Sequence, residues 1–196
     1  MKFKTLLKKS LILLGLVLGL FILLYFIPLK PSSEFIKQAK ETRKEYSSSF
    51  KNDSLIVLVD YSYPVFMKRF WVYNIENDEI ALNTHVSHSW KSGLVFADEF
   101  SNEPGSNLSS IGVIKISERY HGKYGPSLRL DGLEKENNKI RERAIVMHPL
   151  VDFRLYGITI PSELAFYSFG CFALDIEDLE NIRNWCHDGT LMLVVD

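Results

Sequence analysis

Residues 168–174, Ser168-Phe169-Gly170-Cys171-Phe172-Ala173-Leu174, put one of the chain's two cysteines directly behind a glycine and at the head of a short apolar run. Upstream, Ala144-Ile145-Val146-Met147 is a second such run, and it ends on His148. Both read as strands. A thiol and an imidazole at the ends of two strands are the minimum parts of a cysteine nucleophile with its base. If the strands are neighbours, the pair is an acyl-transfer site; if they are not, it is a buried thiol and an ordinary histidine. Gly170 lets the backbone turn tightly and leaves amides free to face a developing oxyanion, to which Ser168 adds a hydroxyl.

The pattern around these two runs is mostly β. Leu55 to Val59 is wholly apolar and rich in β-branched residues, as a buried strand would be. Arg69 to Asn74 and Glu79 to His85 flank the hairpin-type turn Glu76-Asn77-Asp78. Ile111 to Ile116 and Leu191 to Val195 are further strand candidates, and Phe100 to Ser110 is loop-like around Pro104-Gly105. Ile176 to Trp185 is expected to be helical, capped by Asp175 and stopped before Gly189. Nearer the N-terminus, Ser33 is expected to cap a polar helix from Glu34 to about Tyr46. It has few apolar positions and reads as a stalk or an edge helix, followed by the linker Ser47-Ser48-Ser49. A mainly β domain with a few short helices follows, spanning 54–196, with 31–53 as helical stalk and linker.

Leu11 to Leu29 is a 19-residue run interrupted only by Gly15, Gly19 and Pro28. As a helix it covers roughly 28 Å, about the thickness of a bilayer core. It exceeds the apolar region of a signal peptide, and Tyr25, Phe26 and Ile27 stand where a small-residue cleavage site would be. Residues 1–30 are therefore expected to be an uncleaved signal-anchor. Lys2, Lys4, Lys8 and Lys9 are then expected to stay in the cytoplasm, which places residues 31–196 outside a membrane crossed once. The net charge of −1 hides an asymmetry: residues 1–30 carry five lysines and no acid, and the remainder has 18 basic and 24 acidic residues. An acidic body argues against nucleic acid as a partner. In an oxidising compartment Cys171 and Cys186 have a second reading, as a structural disulfide that removes the nucleophile.

Order and content over Ile56 to Val195 resemble the L,D-transpeptidase catalytic domain, the YkuD-type cysteine enzymes that cross-link bacterial peptidoglycan, and within them the murein L,D-transpeptidase catalytic domain proteins. The stretches that carry the resemblance are Val59-Asp60-Tyr61-Ser62 with Lys68-Arg69-Phe70-Trp71-Val72, and His88 with Ser92-Gly93. Phe100 through Ser106, Ser109-Ser110-Ile111-Gly112 and Gly122-Lys123-Tyr124-Gly125 continue it. Ser127 through Glu134, Arg141 through His148, and Ser168-Phe169-Gly170-Cys171 complete it.

The resemblance implies a β-sandwich-like domain with the site at strand ends and no cofactor. It also implies that Cys171 attacks the carbonyl between the third and fourth residues of a peptidoglycan stem peptide, with His148 as the base. An amine then resolves the thioester into a cross-link; water makes the enzyme an L,D-carboxypeptidase; loss of turnover leaves a wall-binding module. Four positions depart from the subgroup: Pro149 after the base, Tyr167 in place of an arginine, Phe169 before the glycine, and Phe172 in place of a proline. They bear on substrate choice more than on the nucleophile.

Arg129, in the best-matched stretch, is the preferred arginine for stem carboxylates, with His88 and Phe169 as further substrate contacts. The rival role for Arg129, as for Arg141 and Arg143, is surface pairing with Asp131, Glu134 or Glu142. His88 is equally a solvent-facing strand edge. His85, His88 and His121 are ligand types without the spacing of a metal motif, so no metal is expected.

Overall fold

The computed structural model describes residues 2–52, 54–162 and 166–196. In chain order it contains α1 (Lys2–Phe26), α2 (Ser33–Glu45), β1 (Leu55–Asp60), β2 (Phe70–Asn74), β3 (Glu79–Thr84), β4 (His88–Ser89) and β5 (Gly112–Gly122). These are followed by β6 (Gly125–Gly132), β7 (Val146–Pro149), β8 (Phe153–Leu155), β9 (Ile158–Ile160), β10 (Tyr167–Ser168), β11 (Phe172–Leu174), α3 (Ile176–Trp185) and β12 (Thr190–Val195). The fold is mainly β. Eight strands form one sheet in the order β11-β7-β6-β5-β12-β1-β2-β3, and two small ribbons, β10-β4 and β8-β9, lie beside it.

Strand parity explains why the central strands lack the polar alternation of a half-exposed sheet. On β1, Val57 and Val59 face one core while Ile56 and Leu58 face the other. Phe70 and Val72 of β2 face the first core, and Trp71 and Tyr73 the second. Met192 and Val194 of β12 likewise oppose Leu191 and Leu193. A strand buried on both faces must be apolar at every position. The first core is closed by α3, through Leu179, Ile182 and Cys186, and by the strands β6, β7 and β11, whose residues Leu128, Leu130, Met147, Phe172 and Leu174 turn into it.

The second core is closed by α2. Phe35 and Ala39, one helical turn apart, are buried against Ile56, Leu58, Trp71 and Leu193. Arg43, one turn further, donates to the Asn52 carbonyl at 2.7 and 3.1 Å. The Lys51 amide bonds the Gly189 carbonyl at 2.9 Å, stitching this segment to the start of β12. Residues 31–53, expected as stalk and linker, thus pack as a layer of the folded unit. Three contacts at i, i+4 and i+8 suffice to dock a helix that is otherwise polar. Its cap also lies one residue earlier than the sequence suggests: the Ser32 hydroxyl, not that of Ser33, accepts the Phe35 N–H at 3.1 Å.

Helix α3 matches its expected bounds, with the Asp175 carboxylate accepting the Glu177 N–H at 2.9 Å. Strand β5 runs six residues beyond the expected Ile116, across an irregularity between Ile116 and Arg119. Within α1, Leu6–Phe26 is long and apolar enough to cross a membrane, a length and composition shared by signal sequences.

Candidate active site

Cys171 and His148 are brought together by β7 and β11. The two strands pair in parallel, with Ala173 opposite His148 and Phe172 opposite Met147. Met147, Phe172 and Leu174 point into the main core. Because side chains alternate, His148 and Ala173 share the opposite face, and Cys171, two residues before Ala173, lies on that face too. Both Cys171 and His148 line one cleft of about 310 Å³. Its walls are Tyr124 and Lys123 from the β5–β6 turn, Phe153 and Arg154 of β8, and Tyr167, Ser168 and Phe169 of the segment leading to the cysteine.

The imidazole is oriented by its own chain. His148 Nδ1 lies 2.7 Å from the Pro149 carbonyl oxygen, which can only accept, so Nδ1 carries the proton and Nε2 is left as the basic nitrogen. The Tyr124 ring covers the imidazole at 4.7 Å between centroids. Burial lowers the His148 pKa from its ordinary value, partly offset by the Pro149 hydrogen bond. Burial raises that of the Cys171 thiol, against a hydrogen bond from the Val146 backbone and the charge of Arg143. Both shifts favour neutral forms. The resting pair is thiol and imidazole, with the thiol directed at the Ala144 carbonyl 3.8 Å away. Cys171 and Cys186 are both free, and Cys186 is buried in the main core at the end of α3.

The turn before Cys171 explains Gly170. Its φ is +108°, and a Cβ there would stand 2.8 Å from the Leu108 carbonyl oxygen, so only glycine fits. Ser168 Oγ accepts the Gly170 N–H at 3.1 Å and donates to the Cys171 carbonyl at 2.7 Å. The hydroxyl and the Gly170 amide are therefore engaged inside the turn, shaping it, instead of standing free for an oxyanion. Arg143 holds the layer behind it, donating to Ser110 Oγ at 2.8 Å, to Leu108 O at 2.6 Å and to the Ser101 carbonyl.

Two expected substrate contacts lie elsewhere. Arg129 sits on β6 with its guanidinium stacked 4.2 Å from the Tyr120 ring, outside the residues lining the cleft. His88 is wholly buried: Nδ1 accepts from Arg69 at 3.0 Å and Nε2 donates to the Gly93 carbonyl at 3.0 Å. It ties β4 to the interior and is no strand edge facing solvent. Phe169, by contrast, stands at the cleft, half exposed and 5.3 Å from the Phe153 ring. Among the described residues no group of three or more His, Cys, Asp or Glu is placed to hold a metal ion.

Sequence reasoning passed over Tyr124, Lys123, Phe153 and Arg154 as site residues. The Gly122-Lys123-Tyr124-Gly125 stretch was the available signal for the first two. For the β8–β9 hairpin there was none beyond a weak apolar alternation.

Burial, followed by the Arg69 charge, pushes His88 down to about 3. In the unfolded chain a histidine titrates near 6.5, so between these values the unfolded state binds more protons. Stability present above pH ~6.5 is thus lost as pH falls toward 3. His88 alone is expected to cost about 3 kcal/mol between pH 7 and pH 4, read as the urea midpoint against pH. A flat midpoint over that range contradicts the buried, neutral assignment.

A cysteine and a tautomer-fixed histidine thus meet in one cleft, on adjacent parallel strands at the margin of a two-faced sheet. The profile of the L,D-transpeptidase catalytic domain matches residues 30–195, and the chain belongs to that family. Among solved structures, a mutant of the helical cell shape determining protein Pgp2 from Campylobacter jejuni is similar, with a TM-score of 0.50 at 14% identity, over 74% of this chain and 48% of that one. An L,D-transpeptidase from Stackebrandtia nassauensis gives 0.43 at 13% identity, over 79% and 62%. Mycobacterium tuberculosis L,D-transpeptidase 1 gives 0.41 at 13%, over 73% and 62%. The chain thus spans from about half to three-fifths of the length of these proteins. No curated protein sequence matches.

Proposed function

We propose that the protein is an exported, membrane-anchored L,D-transpeptidase acting on peptidoglycan stem peptides, with Cys171 as nucleophile and His148 as base. The observation that carries this reading is the β7–β11 register, which sets both side chains on one face of one cleft while the Pro149 carbonyl leaves His148 Nε2 basic. Nε2 takes the thiol proton as Sγ bonds to the stem carbonyl. The tetrahedral oxyanion is then held by the Cys171 N–H, since the Gly170 amide and the Ser168 hydroxyl are engaged. Collapse expels the terminal D-amino acid, its amine protonated by His148, and leaves a thioester. A second stem's amine displaces the thiolate to give the cross-link. Lys123 and Arg154 at the cleft supply the positive charge for stem carboxylates that Arg129 does not.

Support for the membrane placement is α1, with its basic N-terminal segment and a span-length apolar run. The test is incubation of the purified chain with tetrapeptide muropeptides and mass analysis of the products. Dimers are expected; tripeptides alone indicate hydrolysis, and unchanged substrate sinks the enzymatic reading.

A further inference from the structure

The outer end of α1 does not rise freely from the membrane; it packs against two loops of the domain. The Phe21 ring meets the Phe66 ring at 4.9 Å, and Tyr25 stacks on His85 at 4.4 Å. His85 Nε2 in turn donates to the Phe66 carbonyl at 3.2 Å, fixing that loop to the helix end. Phe21 lies five residues before Phe26, about 7–8 Å down the helix axis. Phe66 therefore reaches below the top of the apolar span.

A second loop travels with it. The Val65 N–H bonds the Val95 carbonyl at 2.8 Å, and beside that bond Leu94, Val95 and Phe96 stand 70%, 44% and 45% exposed. Three consecutive large apolar side chains facing water, next to a span-length helix, are the composition of an interfacial anchor.

We propose that loops 64–67 and 93–96 insert into the membrane leaflet on the domain's side, forming a second membrane contact beside α1. The proposal rests on α1 being a membrane span. The occupant is lipid acyl chain rather than headgroup. Lys68 and Lys91 flank the patch, but Asp98 and Glu99 follow it, so no net charge selects anionic lipid. Apolar burial carries the contact, through Phe66, Leu94, Val95 and Phe96. A further bond, from the Tyr167 hydroxyl to the Leu94 carbonyl, links this loop to the wall of the cleft.

The test uses the full chain reconstituted in phosphatidylcholine vesicles whose acyl chains are brominated near the headgroup, with the parent chain's tryptophans as baseline. Leu94→Trp and Phe96→Trp are both at exposed positions, so the fold is not at stake. The comparator Asn77→Trp lies in the β2–β3 turn, at the sheet end opposite loop 64–67. The emission added at 94 and 96 is expected to fall by about twofold or more on bromination, and that at 77 to stay unchanged. Unquenched emission at 94 and 96 in vesicles that carry the protein through flotation overturns the second contact and leaves the anchor standing. A blue-shifted but unquenched signal means that protein covers the patch, and it overturns the proposal equally. Failure to float with the vesicles sinks the anchor reading, and this inference with it.

Discussion

Replacing Cys171 by alanine is expected to lower the rate of stem-peptide turnover by about 10⁴-fold or more, because no other group can form the acyl bond. Thermal stability should change little, since the thiol's polar contacts are weak, to the Ala144 carbonyl at 3.8 Å and with the Val146 backbone. His148→Gln keeps a donor for Pro149 but has no base, and is expected to cost about 10²–10⁴-fold. The two losses should not add, because both remove one proton-transfer unit. The pH dependence of kcat/KM adds a check. Burial holds the imidazole below its ordinary pKa, so the acid limb should fall below pH ~6.5 and vanish from the residual activity of His148→Gln. Undiminished product from Cys171→Ala would mean that the chemistry lies elsewhere.

Arg69→Met is expected to be the most damaging single change to stability, about 3–5 kcal/mol, or on the order of 10 °C in Tm. The Arg69 side chain is fully buried, yet it serves four neighbours: the Tyr63 carbonyl at 2.9 Å, the Val86 carbonyl at 3.1 Å, His88 Nδ1 at 3.0 Å and the Tyr61 ring at 4.8 Å. Burial pushes its pKa down to about 10, still charged at neutral pH. Methionine fills the volume but strands three buried acceptors, each costing about 1–3 kcal/mol. Arg69→Lys keeps the charge without the fork and should recover only part of the loss. Denaturant midpoints for the two variants decide it: equal midpoints for Arg69→Lys and the parent would show that charge alone matters.

What the sequence disclosed follows from how local each signal is. Strands β1, β2 and β12 announce themselves because burial on both faces demands unbroken apolar runs, and α3 because Asp175 and the downstream glycine mark its ends. The two-residue strands β4 and β10 carry no pattern; their pairing is fixed by distant chain segments. Helix α2 shows too few apolar positions to look docked, yet Phe35 and Ala39 are enough once Trp71 and Leu193 face them. At the site, Cys171 and His148 were visible as residue types, and their meeting depended on a parallel register that no spacing encodes. The burial of His88 is set by Arg69, nineteen residues away and itself buried, which no local pattern shows. Arg129 lay in a familiar stretch, but a tyrosine one strand over takes its guanidinium.

Leu29 bears on reach. Its carbonyl accepts from the Trp71 indole at 2.8 Å and its amide donates to Asn83 at 2.9 Å, so only Ile27 and Pro28 separate α1 from the first residue clamped to the sheet. A domain of this size has a radius of gyration of about 15 Å. On the proposed membrane placement, no part of the domain stands more than about 40 Å above the bilayer. On that placement a substrate has to come within this distance of the bilayer to be reached at all.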